Sequence, residues 1–447
     1  MGSFYVKKGY DLKIAGKLSQ EIEVLEKPDH VALCPERIPF IKPRLKIRLD
    51  DTVKIGSVLF EDKRNPDVKF LSPGGGKVVE INFGPRRVIR EIIIRLDTDE
   101  QMETFEAISQ ELPAAIEREA LIANIMTGGL WPLIRELPFR DLARPGVMPP
   151  AIFVNLCRGE PFQPDPDVYL NDRIDLFNFG LKILKRLADK KVHIFRSPDF
   201  ATALNDLNGI TAHVVHGKYP AGDPGVFLYY TRTSPADNHA WYIQGQDVLL
   251  LAHLLKYGTY PLFRTVAVAK DSLEHGKHVQ TRLGAPVADI VQGHVREKGT
   301  RFIAGGVFRG YTTSRTSYLG LYETSVTLLP EGDKQAFLGF ARPGFCKPSY
   351  SRTFLSAFNT AGLNMDCGLH GEARACVNCG YCSNVCPVDI LPQFTLKSIM
   401  AEEVEESLAH GLLDCVECGL CTYVCPSKIE ICDVLAAAKK AYYLESA

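Results

Sequence analysis

The first 110 residues carry short stretches in which apolar and polar positions alternate. This period of two is typical of β-strands that bury one face and expose the other. The alternation occurs in two segments, at residues 45–49 and 52–60, and two further strand segments are predicted at 77–81 and 87–96. A Ser-Pro-Gly-Gly-Gly loop at 72–76 separates the first two segments from the last two. The pattern predicts a β-rich module over residues 1–110.

The period changes between residues 111 and 260, where helical and strand patterns alternate. Apolar residues at helical spacing predict four helices, at 114–127, 175–189, 200–207 and 247–255. Short apolar runs predict strands at 151–156, 191–195 and 211–215. Strands that alternate with helices in this way favour a largely parallel sheet covered by helices, so an α/β, Rossmann-like domain is predicted over 111–260.

The remaining chain contains a second β-rich part and a helical, cysteine-rich end. Residues 261–345 are predicted to form a β module, with strands at 264–269 and 276–282. Residues 346–447 begin with an irregular linker that extends to about residue 375. Apolar spacing then predicts two helices, at 392–411 and 431–443. The sequence therefore predicts an α/β plus β multidomain protein.

Composition excludes several classes of function. The chain has 447 residues, a length that suggests roughly three domains, and 46% of its residues are apolar. Its formal charge is −1, so it has no basic field that would attract nucleic acid or an anionic membrane surface. No stretch reaches the ~18 apolar residues of a membrane-spanning helix, and the amino terminus lacks the apolar core of a signal peptide.

The candidate chemistry lies in two copies of one cysteine motif. Each reads C-x2-C-x2-C-x3-C-P, the ferredoxin-type spacing for two [4Fe–4S] clusters. In this pattern three cysteines of a run bind one cluster and the fourth binds the other. The predicted ligand sets are Cys376, Cys379, Cys382 and Cys425 for the first cluster, and Cys415, Cys418, Cys421 and Cys386 for the second. Free thiolates that bind iron also predict a reducing, cytoplasmic compartment.

Structural zinc is the competing interpretation of the same cysteines. Zinc sites usually pair two C-x2-C knuckles around one ion, which leaves two complete ferredoxin-type runs unexplained. Iron–sulfur clusters are therefore favoured. The other five cysteines fit no ligand pattern and are predicted to be packing residues: Cys34, Cys157, Cys346, Cys367 and Cys432.

These motifs resemble a known family. Residues 379–387 and 417–429 resemble RnfC, the cluster-bearing peripheral component of the Rnf electron-transfer complex. The rest of the chain is similar to NqrA, one of the subunits of sodium-translocating NADH:quinone reductases. The stretches that carry this similarity are 9–16, 302–310, 352–356 and 370–372. The two families are similar to each other, but NqrA usually lacks the cysteine motifs that this chain carries twice.

The resemblance implies a fold for each part of the chain. It implies a barrel-sandwich hybrid at 1–110, an α/β domain like that of the complex I flavoprotein at 111–260, an SLBB-type β-grasp module at 261–345 and an α-helical dicluster ferredoxin domain within 346–447. A biotinyl or lipoyl carrier would need an exposed lysine in a tight hairpin. Asp62-Lys63-Arg64 is a poor match to such a motif, so a structural module is favoured.

The resemblance also implies a flavin loop, which is incomplete here. RnfC and the complex I flavoprotein hold FMN with a Gly-x-Gly-Gly-x-x-Phe-Pro loop, whereas this chain has Gly128-Gly129 without the first glycine. The Gly-Glu-Pro segment around Glu160 resembles another part of that flavin site. The favoured interpretation is that no FMN binds, and a residual flavin or nucleotide site at Gly128, Gly129 and Glu160 is the alternative. His370 and Glu372 are interpreted as a linker turn, with cluster tuning as the alternative.

The sequence thus predicts a peripheral iron–sulfur subunit of a membrane-bound, ion-translocating oxidoreductase of the Nqr or Rnf type. Its expected partners are integral-membrane flavoprotein subunits on the cytoplasmic side of the bacterial inner membrane, with a soluble electron donor or dehydrogenase as a further candidate. No catalytic residue is predicted, and whether the chain itself is an enzyme stays open. The alternatives are a flavin-containing NADH dehydrogenase component, and a quinone-binding or assembly component with structural clusters.

Overall fold

A computed structural model describes residues 2–108, 116–188, 191–204, 208–234, 237–270, 276–292, 299–332, 338, 341 and 343–446. Its strands, in chain order, are β1 (Gly2–Tyr5), β2 (Leu18–Val24), β3 (His30–Leu33), β4 (Pro43–Leu45), β5 (Thr52–Val53), β6 (Val58–Asp62), β7 (Asn65–Leu71), β8 (Gly76–Phe83), β9 (Ile89–Leu96), β10 (Arg135–Leu137), β11 (Asp141–Leu142), β12 (Ile152–Leu156), β13 (Val192–Arg196), β14 (Ile210–His216), β15 (Ala240–Gln244), β16 (Phe263–Lys270), β17 (Gly276–Arg282), β18 (Thr300–Ala304), β19 (Tyr311–Thr313) and β20 (Ser325–Pro330).

The helices are α1 (Arg118–Thr127), α2 (Pro166–Leu170), α3 (Ile174–Leu187), α4 (Pro224–Thr231), α5 (Gly245–Tyr257), α6 (Val287–Ile290), α7 (Tyr381–Val385), α8 (Pro392–Met400), α9 (Val404–Ala409), α10 (Leu420–Tyr423) and α11 (Ile431–Ser446). Within the part of the chain that the structure describes, none of these helices is long and apolar enough to cross a membrane.

A seven-stranded sheet forms the centre of the α/β domain. Its order is β1-β14-β13-β12-β15-β10-β11. The first five strands are parallel, and β10 and β11 complete one edge in antiparallel fashion. The predicted, largely parallel sheet is therefore confirmed. The next strand in the chain, β13, pairs with one side of β12, whereas β15 pairs with the other side. The direction in which strands are added to the sheet therefore reverses between β12 and β15.

Two smaller sheets form the amino-terminal module, in the orders β3-β9-β8-β5 and β4-β6-β7. They pack Phe60, Phe70 and Ile92 into a fully buried core. A six-stranded sheet of order β19-β18-β20-β16-β17-β2 forms the remaining β-rich part. Two strands from the beginning of the chain thus leave the amino-terminal module: β1 pairs with β14, and β2 pairs in parallel with β17.

The predicted helix at 200–207 is wrong over its described part, since residues 200–204 are not helical. A neighbouring carboxylate explains the difference. Asp167 accepts hydrogen bonds from the backbone N–H groups of Ala201 and Thr202 and from the Thr202 hydroxyl. These N–H groups are thereby held by a side chain outside the segment, and the loop does not wind into a helix. Residues 205–207 lie outside the described residues.

The single helix predicted at 392–411 is also wrong, because the chain forms two helices, α8 and α9. Glu402 lies between them with a φ of 61°, in the left-handed region that ends a right-handed helix. Met400 and Val404 on either side are 75% and 54% exposed, so the apolar spacing across the break does not correspond to a buried face. The predicted helix at 114–127 begins at Arg118, and residues 109–115 lie outside the described part.

The cysteine-rich end is packed onto the α/β domain rather than joined by a free linker. One continuous core contains Phe153 and Phe227 of the α/β domain together with Val385, Leu420 and Leu435 of the last 70 or so residues. The closing helix α11 extends this contact. Burial of this shared apolar surface fixes the cysteine-rich domain in one position against the sheet.

Candidate metal centre

The two cysteine runs adopt the same backbone path. Asn378 and Glu417 occupy equivalent positions with φ of 53° and 54°, and Gly380 and Gly419 both have φ of 77°. Each glycine then opens a short helix, α7 or α10. A glycine is favoured here because the left-handed conformation carries no steric cost without a Cβ atom. The sequence repeat is therefore also a structural repeat.

Four of the predicted ligands surround one small cavity of about 20 Å³. Three come from the second run, Cys415, Cys418 and Cys421, and the fourth is Cys386 from the first run. This is the set predicted for the second cluster, with its crossed fourth ligand. Among the described residues, no three His, Cys, Asp or Glu side chains are placed to hold a single metal ion. A cubane cluster has a different requirement, since each of its four irons binds its own thiolate.

Burial differs sharply between the two runs. Cys376 and Cys379 are exposed, whereas all four cysteines of the second run are buried, Cys425 included. The first half of the first run therefore lies at the protein surface, whereas Cys382, Cys386 and the whole second run are buried. Cys425, the predicted fourth ligand of the first cluster, does not line the cavity of the second set.

The buried thiols need a positive charge to ionise. Burial raises the pKa of Cys415 to about 12 and the pKa of Cys386 to about 11. A thiol with such a pKa stays protonated at neutral pH, and thiolate is the form that binds iron. The residues therefore fit a group that itself supplies positive charge, and insertion of iron would release protons from this site.

The second run is anchored to the α/β domain by hydrogen bonds to its backbone carbonyls. The Tyr219 hydroxyl donates to the carbonyl oxygen of Cys418 at 2.9 Å. Arg140 and Arg309 both donate to the carbonyl oxygen of Val416, at 3.2 and 2.9 Å. These contacts fix the loop between Cys415 and Cys418 through its backbone.

Asp223 holds the two arginines in place. Its carboxylate accepts from Arg140 at 2.8 Å and from Arg309 at 2.5 Å, and the residue is only 6% exposed. Burial alone would raise the pKa of Asp223, but the two guanidinium groups outweigh burial and hold it far below the ordinary range. The carboxylate is therefore ionised at neutral pH and well into the acid range.

Arg309 also lines a large cavity of about 320 Å³. The cavity opens beyond the carboxyl ends of β12 and β15, where Cys157 and Gly245 line it. This is the point where the strand order reverses, the usual ligand position in an open α/β sheet. Its volume falls within the range of small-molecule sites. Its wall is rich in tyrosine: Tyr169, Tyr219, Tyr242, Tyr311 and Tyr322.

Unpaired polar atoms lie in the wall of this cavity. The Tyr242 hydroxyl and one carboxylate oxygen of Glu323 are buried without a hydrogen-bond partner. Tyr242 is only 2% exposed. Buried polar groups in proteins almost always have partners, so these atoms indicate that the cavity accommodates a polar ligand or water.

Glu160, one of the predicted flavin-site residues, lines the same cavity. Its carboxylate accepts from the backbone N–H groups of Phe308, at 2.6 Å, and Arg309. Burial raises its pKa, and the charge of Arg309 opposes that effect. Glu160 therefore ties the loop after β18 to the segment that follows the carboxyl end of β12 in the large sheet.

The predicted glycine pair lies elsewhere. A Cβ atom on Gly128 would lie 2.2 Å from Leu254, and one on Gly129 would lie 2.4 Å from Leu71. Both glycines therefore allow close packing of α1 against apolar side chains, and neither lines the cavity that contains Glu160. The structure does not bring the three predicted flavin-site residues together.

Sequence reasoning missed the residues that support the second run, namely Tyr219, Asp223 and Arg309. They are distant in sequence from the cysteines, and although Arg309 lies within 302–310, one of the stretches similar to NqrA, the cysteine spacing does not point to any of the three. Cys432, predicted to be a packing residue, lines the cavity of the second set. His370 is exposed and bonds to Asp366 at 3.0 Å, in keeping with a linker turn.

Comparison with known proteins agrees with this architecture. Three family models match the chain: the NqrA N-terminal barrel-sandwich hybrid domain at residues 4–97, the NqrA second alpha/beta domain at 116–260, and a 4Fe-4S dicluster domain at 375–429. The fold is thus a multidomain α/β protein with an amino-terminal barrel-sandwich domain and a carboxy-terminal dicluster domain.

Curated relatives define the family. The A subunit of the Na(+)-translocating NADH-quinone reductase of Histophilus somni strain 2336 is 33% identical over 92% of both chains. The corresponding subunits of Glaesserella parasuis and Yersinia pestis strain Angola are each 34% identical, again over 92% of both chains. The chain belongs to the NqrA family of Na(+)-translocating NADH-quinone reductase subunits. The crystal structure of an NAD+-reducing [NiFe]-hydrogenase aligns with 48% of this chain and 44% of the hydrogenase chain, at 14% sequence identity. Its TM-score of 0.31 is too low to establish a shared fold.

Proposed function

We propose that this protein is a peripheral electron-transfer subunit that relays electrons through two [4Fe–4S] clusters. One observation carries the proposal: Cys415, Cys418, Cys421 and the sequence-distant Cys386 surround one cavity. The first cluster would take Cys376, Cys379, Cys382 and Cys425. A cluster in each site would let the chain carry one electron at a time, with its potential set by burial and by hydrogen bonds to sulfur.

The different exposure of the two sets of cysteines indicates which cluster would lie inside the protein and which would lie at its surface. The second set lies beside the large cavity, from which Tyr219 reaches the carbonyl of Cys418. The first set carries two exposed cysteines, Cys376 and Cys379. Electrons would therefore pass between an inner cluster next to the cavity and an outer cluster that a partner protein can approach.

Anaerobic purification and reconstitution of the full chain test this proposal. About eight irons per chain are expected for two cubanes, together with an EPR signal of two interacting clusters after reduction. Cys386→Ser and Cys425→Ser should each change a different cluster, because the fourth ligands are crossed. Cys346→Ser is the matched control, since that cysteine is exposed and isolated from both runs. Four irons or fewer in the native chain, or zinc instead of iron, would reject the proposal.

The complex is proposed from the names of the relatives, which are subunits of Na(+)-translocating NADH-quinone reductases. The partners would be integral-membrane flavoprotein subunits, at the cytoplasmic side of the bacterial inner membrane. An Rnf-type complex is the alternative, favoured by the two cysteine runs. Affinity purification from detergent-solubilised membranes would recover Nqr-type or Rnf-type subunits, and recovery of neither would contradict a role in such a complex.

The finer domain assignment is part of the same proposal. It divides the chain into a barrel-sandwich module at 1–110, a complex-I-flavoprotein-like α/β domain at 111–260, an SLBB-like module at 261–345 and a linker with the ferredoxin domain at 346–447. The six-stranded sheet supports the third module, although it borrows β2 from the start of the chain. A fragment of residues 346–447 should be unstable alone, because its core is shared with Phe153 and Phe227.

A second candidate function rests on the large cavity. Its five tyrosines and its unpaired Tyr242 hydroxyl suit a flat aromatic redox compound, either a flavin or a quinone. Glu160 would lie in this site, whereas Gly128 and Gly129 would not. Titration of the purified chain with FMN and with a short-chain quinone, followed by tyrosine and flavin fluorescence, separates the two ligands. Stoichiometric FMN that NADH bleaches would make the chain a dehydrogenase component.

A further inference from the structure

Helix α11 places two polar side chains against the second cysteine run. Cys432 and Lys439 lie on the same face of this helix as Leu435, which is fully buried. Residues at such spacing share one helical face and contact the same neighbour. Neither polar residue belongs to the cysteine motifs, so the ligand pattern does not account for their burial.

Cys432 is a fifth cysteine at the cavity of the second set. Its side chain lines that cavity together with the four predicted ligands, and its thiol interacts with the thiol of Cys421. Its backbone N–H donates to the Thr422 hydroxyl at 2.9 Å, which fixes the start of α11 against α10. A thiol in this position can donate a hydrogen bond to the sulfur of a ligand thiolate.

Lys439 is a buried cation next to the same run. It is 2% exposed, although lysine is among the residues least often buried. Its ammonium donates to the carbonyl oxygen of Cys415 at 2.7 Å and pairs with Glu417 at 3.1 Å. The Glu417 side chain is 32% exposed and that of Lys439 only 3%, so solvent screens the negative charge more than the positive one.

The first run has a different environment. Asn378, which has no charge, occupies the position that Glu417 occupies in the second run. Cys376 and Cys379 are open to water, which screens charges near them. The two cluster sites are therefore chemically unequal, even though their backbones match.

We propose that Lys439 and Cys432 raise the reduction potential of the cluster held by the second run. Reduction adds one negative charge to the cluster. A buried ammonium beside Cys415 and a thiol hydrogen bond to Cys421 both stabilise that added charge, by known means of tuning such clusters. This inference rests on the proposed iron–sulfur function.

Potentiometric EPR titration of the reconstituted full chain tests the inference. Lys439→Met removes the charge and keeps most of the side-chain volume. It should shift the reduction equilibrium of one cluster at least ten-fold toward the oxidised form, which is about 59 mV for a one-electron couple. The other cluster should keep its midpoint. Lys439→Arg, which retains the charge, should restore most of the potential.

Lys440→Met is the matched control, because Lys440 is the next residue of the helix and is exposed. Cys432→Ala should lower the same midpoint by a smaller amount, about three-fold in the equilibrium, and Cys432→Ser should recover part of it through its hydroxyl. If Lys439→Met does not accumulate as folded protein, the comparison of Cys432→Ala with Cys432→Ser decides the outcome.

The possible results separate the two proposals. A chain that takes up no clusters rejects the iron–sulfur function itself. Two normal clusters whose midpoints stay unchanged in Lys439→Met and Cys432→Ala overturn only the tuning role. An equal shift of both clusters, or the same shift in Lys440→Met, also overturns it, because the effect would then not be local to the second run.

Discussion

Replacement of Asp223 by Asn should destabilise the protein far more than the loss of an ordinary ion pair. The carboxylate is buried, accepts from Arg140 and Arg309, and also accepts the N–H of Gly225 at 2.8 Å as the cap of helix α4. Asparagine keeps the shape of the side chain and is itself a good helix cap. The substitution therefore removes the charge and little else.

The magnitude follows from the burial of both partners. Asp223 is 3% exposed in its side chain, and Arg140 is 14% exposed. Removal of one member of a buried ion pair costs about 3–5 kcal/mol, because the partner is left as an uncompensated buried charge. Here two guanidinium groups lose their common carboxylate, so we expect a loss of about 4 kcal/mol in the free energy of unfolding.

Urea denaturation followed by tryptophan fluorescence measures this loss. Trp131 and Trp241 are the two tryptophans of the chain, and both are fully buried in the α/β domain. Asp199→Asn is the control, because its pair with Arg158 is exposed and such pairs contribute at most about 1 kcal/mol. Equal costs for the two variants would refute the reasoning that burial, rather than ion pairing as such, sets the energy.

A second readout tests the link to the metal centre. Arg140 and Arg309 hold the carbonyl of Val416 between two predicted ligands. In Asp223→Asn these arginines lose their fixed orientation, so a chelator should remove iron from the second site several-fold faster than from the native protein. Unchanged release would show that the arginines do not hold the loop.

The remaining predictions concern a backbone contact and a histidine pair. Gly419→Ala should destabilise the cysteine domain more than Gly380→Ala. Both glycines have φ of 77°, a conformation that costs about 1–2 kcal/mol for a residue with a Cβ atom. Only at Gly419 would the added Cβ atom also lie 2.8 Å from the carbonyl oxygen of Phe308. Equal melting temperatures for the two variants would contradict this contact. Burial, followed by the charge of His193, lowers the pKa of His213 to about 4. The stability that the neutral imidazole contributes is therefore present above the unfolded pKa near 6.5 and is lost as the pH falls toward 4. Melting temperatures between pH 7 and 5 should fall less in His213→Gln than in the native chain; an identical slope would remove His213 as the cause.

Local patterns were sufficient to predict the elements that bury one face at a regular spacing of residues. The strand predicted at 276–282 has the bounds of β17, and the helical spacing at 175–189 matches α3 to within two residues. These segments pack one face against a core, so their period is recorded in consecutive residues. The patterns failed at 200–204 and at Glu402, where a distant carboxylate and a left-handed residue decide the backbone.

By itself, the sequence determined the cysteine repeat, its ferredoxin-type spacing and the crossed ligand sets it predicts. These depend only on intervals of two or three residues, which any chain with that spacing reproduces. The tertiary structure alone decided that the second run is buried, that Asp223 and its arginines hold it, and that Lys439 lies beside it. Charge and burial around a site come from residues far apart in sequence, and they meet only when the sheet and the last helix pack together.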